Sequence, residues 1–279
     1  MSRLQLNCVS HTISADLRRS LNACQPRALA VRHPVEYSAV VESQTSGILY
    51  LIPTPIAAEA STDPDDAIRS VVSTLDGVIG ESRKMASAFL KKMKGPHLSE
   101  SAALRLLNEH TRPSEIEHLI EPIERGESWG LISDAGCPAV ADPGAALVRL
   151  AHARGVRVKP LAGPSAVLLS LMGSGLNGQR FVFHGYLSRD AAERRRELKN
   201  MESDSRRFSR SHIWIETPYR NSDVFAAALA CLNEKTLFCV ASDLTAPSEE
   251  IRTNSMAAWR ACPPPDLRDR PTVFLLESS

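Results

Sequence analysis

Long apolar runs, paired cysteines, glycine-rich phosphate loops and a strong net charge are all missing from this 279-residue chain. No stretch approaches the roughly 20 apolar residues that a membrane-spanning helix needs. Cys8, Cys24, Cys137, Cys231, Cys239 and Cys262 are scattered without a CxxC pair. That pattern excludes a disulfide framework or zinc ribbon and leaves reduced thiols. No Cys/His spacing suits a metal ligand set, so no metal is expected. Aromatic residues make up 5% of the chain, and no aromatic ladder is interleaved with the basic residues Arg83, Lys84, Lys91, Lys92 and Lys94 as a base-stacking platform. The formal net charge of +1 supplies no global field toward nucleic acid or membrane, so any basic surface must be local. Internal repeats and heptads are also absent.

What remains is ordinary globular composition, 43% hydrophobic and 23% charged, at a length that suits two domains of moderate size. The chain is organised around Gly130 to Ala166. A short apolar run, Leu131-Ile132, stops at Ser133-Asp134-Ala135-Gly136, a small polar turn of the kind that delivers backbone groups to a cleft. Asp142-Pro143-Gly144 predicts a helix start, with an aspartate cap and proline in the first turn. Leu147, Val148, Leu150 and Ala151 give its apolar face and Gly155 its stop. A second strand, Val156 to Leu161, ends at Ala162-Gly163-Pro164-Ser165. Strand, helix and strand make a βαβ unit with parallel strands.

These motifs, GLISDAGCPAVADPG and PLAGPSA, resemble the signature pair of the ribosomal RNA small subunit methyltransferase I branch of the tetrapyrrole methylase superfamily. LIPTPI (Leu51 to Ile56), FHGYL (Phe183 to Leu187) and ETPYRN (Glu216 to Asn221) extend the resemblance over roughly Gly47 to Glu277. The loop after the first strand is not glycine-rich, as it is in porphyrin-modifying members. Ala57-Ala58 stand where the RNA branch has Gly-Asn, and Glu81-Ser82-Arg83 where it has Ala-Glu-Asp-Thr-Arg. The resemblance implies an α/β fold of two domains. The N-terminal domain, 47–162, carries a mostly parallel sheet, and the C-terminal domain, 163–279, a mixed one, with S-adenosyl-L-methionine in the cleft between them. It also implies a homodimer.

Binding a methyl sulfonium with an ammonium and a carboxylate needs oxygen acceptors, free backbone groups and an apolar slot for adenine. Asp134, Asp142, the backbone around Gly136 and Ala139 to Ala141, and Ser165 are candidates to supply them. Asp142 also serves as a helix cap, a role compatible with lining the cofactor. By resemblance the cofactor set is Pro55, Asp134, Gly136, Val140, Ala141, Asp142, Ser165, Ala166, Gly185, Tyr186 and Pro218. Glu81, Asn108 and Glu109 are the candidate catalytic residues. Arg83, Lys91, Lys92 and Arg220 are the candidate acceptor contacts. Cys137 has no ordered base beside it and is not expected to act as a nucleophile.

Elsewhere, GILYLI and Val78-Ile79-Gly80 predict strands. Ile68, Val71, Val72 and Leu75 predict a helix entered at Thr62-Asp63-Pro64-Asp65, and Ile116, Leu119, Ile120 and Ile123 another closed by Gly126. The helix running to Lys94 is expected to bury Met85, Phe89 and Met93. Its charges, Arg83, Lys84, Lys91, Lys92 and Lys94, suit either a solvated face or phosphate contacts. In the second half, Val167 to Met172 predicts a helix. Phe181 to Phe183, His212 to Glu216, Leu237 to Ala241, Ile251 to Thr253 and Thr272 to Leu276 predict strands of a mixed sheet. His184 at a strand end suits a structural role more than a base. Glu193 to Arg207 mixes both signs of charge and suits a solvated helix face.

Residues 1–46 carry Arg3, Arg18, Arg19, Arg27 and Arg32, no lysine, and three acids. That suits an organellar transit peptide, a disordered tail or a start codon placed too early. A cytoplasmic location is expected, or an organellar one if the segment is a transit peptide. The expected activity is S-adenosylmethionine-dependent methyl transfer, by resemblance to a ribose 2′-oxygen of small-subunit rRNA. The alternatives are a methyltransferase of a tetrapyrrole-like or other small molecule, and a module that binds cofactor or RNA without turnover.

Overall fold

A computed structural model describes residues 47–57, 66–93 and 104–278. The expectations for 1–46, for the helix entrance at Thr62 to Asp65 and for Lys94 lie outside these residues. The described residues belong to one compact unit, Ser43–Ser279.

Its first half is a five-stranded sheet in the order β3-β2-β4-β1-β5. The strands are β1 (Ile48–Leu51), β2 (Gly77–Gly80), β3 (Leu104–Leu106), β4 (Trp129–Ile132) and β5 (Arg157–Pro160). Every pairing is parallel. Alternating side chains feed two cores, one on each face. On one face Leu49, Ile79 and Leu131 pack with α3 (Pro113–Glu124) and α4 (Gly144–Ala153) through Leu119, Ile120, Ile123, Leu147 and Ala151. On the other, Ile52, Val78 and Ile132 meet α1 (Asp66–Val72) and α2 (Arg83–Met93). The predicted βαβ unit is present as β4-α4-β5, with β1 lying between its strands.

The second half is a mixed sheet ordered β6-β7-β10-β8-β9. Its strands are β6 (Phe181–Tyr186), β7 (Ser211–Glu216), β8 (Leu237–Ser242), β9 (Glu250–Ser255) and β10 (Thr272–Glu277). Only β6 and β7 run parallel; the other pairs are antiparallel. On one face, α5 (Ala166–Ser174) covers Ile213, Cys239, Ala241 and Leu275. On the other, α6 (Ala191–Phe208), α7 (Asn221–Cys231) and α8 (Met256–Ala261) cover Trp214, Phe238 and Phe274, with Trp259 of α8 packed among them. Ile56, from the loop after β1, joins the α5 cluster and so ties the first sheet's loops to the second sheet.

Three local expectations change. Met85 is 40% exposed, while α2 buries Ala86, Phe89 and Met93. The buried stripe follows the i, i+3, i+7 spacing, which leaves Met85 at its edge, lining a recess beside Pro55. β3 and α8 were not expected; they are three and six residues long, too short to show a period. Helix α4 opens with Pro143 in helical conformation as its cap residue, one position after the expected aspartate. Among the described residues no helix is long and apolar enough to cross a membrane, and Cys137, Cys231, Cys239 and Cys262 are free thiols.

Candidate active site

Because β1 to β5 are all parallel, the loops after them leave from one edge of the sheet, where ligands of open α/β sheets bind. These loops carry Pro55, Glu81, Asn108, the segment Asp134 to Asp142, and Ser165. Two of them are laced together. Thr54 N–H donates to Gly136 O at 2.9 Å, and Gly136 N–H returns to Thr54 O at 3.2 Å. Thr54 Oγ1 also donates to Ser133 O at 3.2 Å. Gly136 takes φ +75°, a left-handed conformation that glycine adopts without a Cβ penalty. Gly163 is held by space instead: a Cβ there would lie 2.3 Å from Pro53 Cβ, so the loops after β1 and β5 could not approach as they do.

The loop between β4 and α4 is strained. Ala139 and Ala141 both sit at positive φ, 65° and 56°, where a residue with a Cβ costs about 1–2 kcal/mol. Asp142 holds this turn, its Oδ1 accepting Gly144 N–H at 2.6 Å and Ala139 N–H at 3.3 Å. Its Oδ2 is buried without a partner among the described residues. Burial raises the Asp142 pKa against those backbone donors, with Asp134 adding repulsion. Strain and an orphaned acceptor on one loop point to a ligand site.

Two neighbouring recesses open here, with Ile56 lining both. The first, about 110 Å³, is lined by Gly136, Val140, Ala141, Ser165 and Ala166, all expected from the sequence. Ile56, Ala135, Cys137, Val167, Phe183 and Ile215 complete it. Phe183 and Ile215 come from the second sheet, so the recess lies between the halves. Ser165 caps α5, accepting Leu168 N–H at 3.4 Å. The second recess, about 190 Å³, takes in Pro55, Asp134, Met85 and Lys92.

Glu81 follows β2. Burial raises its pKa most, and the nearby carboxylates of Asp142, Asp134 and Glu109 raise it further. Asp134 Oδ1 is engaged, accepting from Ser82 N–H at 3.2 Å and Ser82 Oγ–H at 2.9 Å. Asn108 Oδ1 closes a turn on His110 N–H at 3.0 Å, and Glu109 is exposed. Tyr186, half exposed at the end of β6, has its pKa raised by burial and by Glu81 and Glu216, which places it near the same carboxylates. Cys137 Sγ lies 3.3 Å from Pro164 O, and burial pushes its thiol pKa up, the opposite of an activated nucleophile.

The remaining candidates lie apart from the first recess. Gly185 sits at the β6 irregularity with φ +68°, and Pro218 opens a 3-10 turn after β7. Arg83 and Lys91 are exposed on α2. Arg220 is largely enclosed, 3.3 Å from the fully buried Glu216 carboxylate and donating to Leu187 O and Ser188 O at 3.1 and 2.9 Å. Its guanidinium therefore holds the loop after Tyr186. Sequence reasoning missed Ile56, Phe183 and Ile215 as lining residues; only the pairing of β6 with β7 puts the latter two on one face. Ser82 was missed as the partner of Asp134, and nothing local marks that pairing across 52 residues of chain.

The residues fit the expected cofactor. Small side chains and free backbone line one recess, an apolar wall faces it from the second sheet, and Asp142 Oδ2 is an unpaired acceptor suited to a cation.

No family model matches the chain. It is 31% identical over 218 residues to the "Ribosomal RNA small subunit methyltransferase I" of Escherichia coli O157:H7, covering 77% of this chain and 72% of that protein. The protein of the same name from Streptococcus pyogenes serotype M18 is 32% identical over 219 residues, covering 77% of this chain and 71% of its own. Among solved structures, the methyltransferase CobJ superposes with a TM-score of 0.55 at 18% identity, over 83% of this chain and 94% of that one. That likeness establishes the fold.

Proposed function

The chain belongs to the ribosomal RNA small subunit methyltransferase I family, and we propose that it methylates a ribose 2′-hydroxyl of small-subunit rRNA. It is an S-adenosyl-L-methionine-dependent methyltransferase. The observation that carries the reading is the meeting of the loops after β1, β4 and β5 with Phe183 and Ile215 around one recess.

In this reading Gly136, Val140, Ala141, Ser165 and Ala166 hold the cofactor, and Asp142 Oδ2 meets its positive charge. The bound cofactor supplies an electrophilic methyl group on a sulfonium. Holding donor and acceptor aligned gives most of the rate. A ribose hydroxyl must also lose its proton, and Glu81 is the base: its raised pKa makes it a better proton acceptor than an ordinary carboxylate. Glu109 and Asn108 flank it. Arg83, Lys91 and Lys92 on exposed positions of α2 meet RNA phosphates, and Lys92 also lines the recess beside Asp134. The relatives' names support RNA as acceptor. We further propose a homodimer, which light scattering at micromolar protein tests: a monomer mass alone refutes it.

The testing experiment incubates purified protein and labelled cofactor with small-subunit particles that lack the modification. Labelled rRNA whose modified nucleotide carries the methyl on ribose, and resists alkaline cleavage at that bond, supports the proposal. Label on a base refutes the ribose assignment, and unlabelled rRNA refutes the RNA reading.

A further inference from the structure

The face of β6 opposite the cofactor recess borders a third, open cavity, about 370 Å³, lined also by β7 and α6. A chain of ionisable groups crosses it. Arg210 grips Asp204 through Nε to Oδ2 at 2.5 Å and Nη2 to Oδ1 at 2.6 Å. His212, 2% exposed, brings Nε2 within 2.9 Å of Asp204 Oδ2, close though off the N–H axis. Its Nδ1 lies 2.7 Å from His184 Nε2, and the two rings stack at 5.0 Å.

The ends of this chain fix where its protons sit. Asp204, held below the usual carboxylate range by Arg210, only accepts. A bare nitrogen lone pair 2.9 Å from that carboxylate is repelled, so His212 carries its proton on Nε2. Burial keeps His212 neutral, its pKa pushed down to about 4, and Nδ1 is therefore bare and accepts from His184 Nε2–H. Burial lowers the His184 pKa as well. The neutral His184 ring then has a bare Nδ1 with no partner among the described residues, on an exposed residue that lines the cavity. Glu197, also lining it, spends Oε2 on Ser188 N–H at 3.0 Å and keeps Oε1 without a partner among the described residues. Two acceptors thus stand among apolar Val182 and Met201, with Tyr186 beside them.

Acceptors of this kind between apolar and aromatic walls suit a flat ring that donates from an amine. A phosphate is a poor occupant: Arg210 and Asn200 also line the cavity, but the guanidinium is already paired in bidentate fashion with Asp204, and the anion would meet a carboxylate and an imidazole lone pair. We infer that this cavity docks a nucleobase bearing an exocyclic amine, next to the nucleotide that is methylated; the inference rests on the RNA reading above. Tyr186 lies against both this cavity and the Glu81 side of the cleft, joining the two places. Uracil has no exocyclic amine and offers only its N3–H donor, so it leaves at least one of the two acceptors unpaired.

Cytidine and uridine, which differ at one exocyclic group, are the probes. Titrated into the full chain saturated with S-adenosylhomocysteine, cytidine is expected to bind roughly tenfold more tightly, the value of one hydrogen bond to a charged acceptor. His184→Phe and Glu197→Gln should each cut that preference to about twofold or less. His184 is exposed, and Gln can still accept from Ser188; should one variant fail to fold, the other carries the test. Equal binding by wild type, or an unchanged preference in a folded variant, overturns the inference. Parallel rRNA methylation separates the two readings. Methylation with equal nucleoside binding removes this subsite alone, whereas no methylation removes the RNA reading and the flanking-base assignment together.

Discussion

Replacing Asp142 separates its two oxygens. Oδ1 anchors Gly144 N–H at 2.6 Å and Ala139 N–H at 3.3 Å, beside two residues in left-handed conformation. Asp142→Ala removes both anchors, a loss of about 0.5–2 kcal/mol on the scale of helix caps. For a chain of this size that lowers the melting temperature by roughly 1–8 °C. Asp142→Asn keeps Oδ1 and replaces only the orphaned Oδ2. Burial raises the Asp142 pKa, so ionising it costs folding free energy that is absent below the ordinary carboxylate value and fully present above the raised one. The asparagine carries no such cost, so at neutral pH its melting temperature should equal or exceed that of wild type. Its cofactor affinity should nevertheless fall by about 10- to 100-fold, the loss of a charge-assisted bond to the cofactor's cation. In wild type that affinity should also drop as pH falls through the raised Asp142 pKa, a dependence the asparagine variant lacks. Calorimetric titration with S-adenosylhomocysteine across pH, beside thermal melts, makes the measurement. An asparagine variant that binds like wild type refutes the assignment of Oδ2 to the cofactor.

At saturating cofactor, Glu81→Gln should lower kcat by about 10²- to 10⁴-fold and abolish the acid limb of the pH–kcat profile. In wild type that limb falls as pH drops through a pKa above the ordinary glutamate range; a surviving limb in the variant assigns the base elsewhere. Arg220→Ala leaves the buried Glu216 carboxylate uncompensated and should destabilise by about 3–5 kcal/mol by denaturant titration, with Glu216→Gln restoring part of the loss. No loss would contradict its role in holding the loop after Tyr186. Lys91→Ala/Lys92→Ala should leave stability within about 0.5 kcal/mol, since both side chains are exposed. The log–log salt slope of RNA binding should become shallower by about 0.7 for each single-strand phosphate that the variant no longer neutralises; an unchanged slope removes α2 from the RNA interface.

The parts of the fold legible in the sequence are those written locally. The β4-α4-β5 unit announces itself through the turn at Ser133 to Gly136, the Asp142-Pro143 start and the Gly155 stop. The strands of the second sheet, β9 apart, show as short apolar runs, and their mixed pairing agrees with the expectation. β3 and α8 are too short to carry a period, and Met85 has helical spacing yet falls at the stripe's edge. In the site, Gly136 to Ala141 and Ser165 sit at turns that punctuate the chain. Phe183 and Ile215 reach the same recess only through strand pairing, and His184 meets His212 and Asp204 only across β6, β7 and α6. Such juxtapositions depend on long-range register, which no local pattern encodes.

A crystal structure with bound S-adenosylhomocysteine tests the central claim, that the two halves of the chain build one methyl-transfer site. The ligand is predicted to lie against Gly136 to Ala141 and Ser165-Ala166, with Phe183 and Ile215 on its far side and its amino group at Asp142 Oδ2. A ligand seated on one half alone, or in the cavity beside His184, contradicts the account.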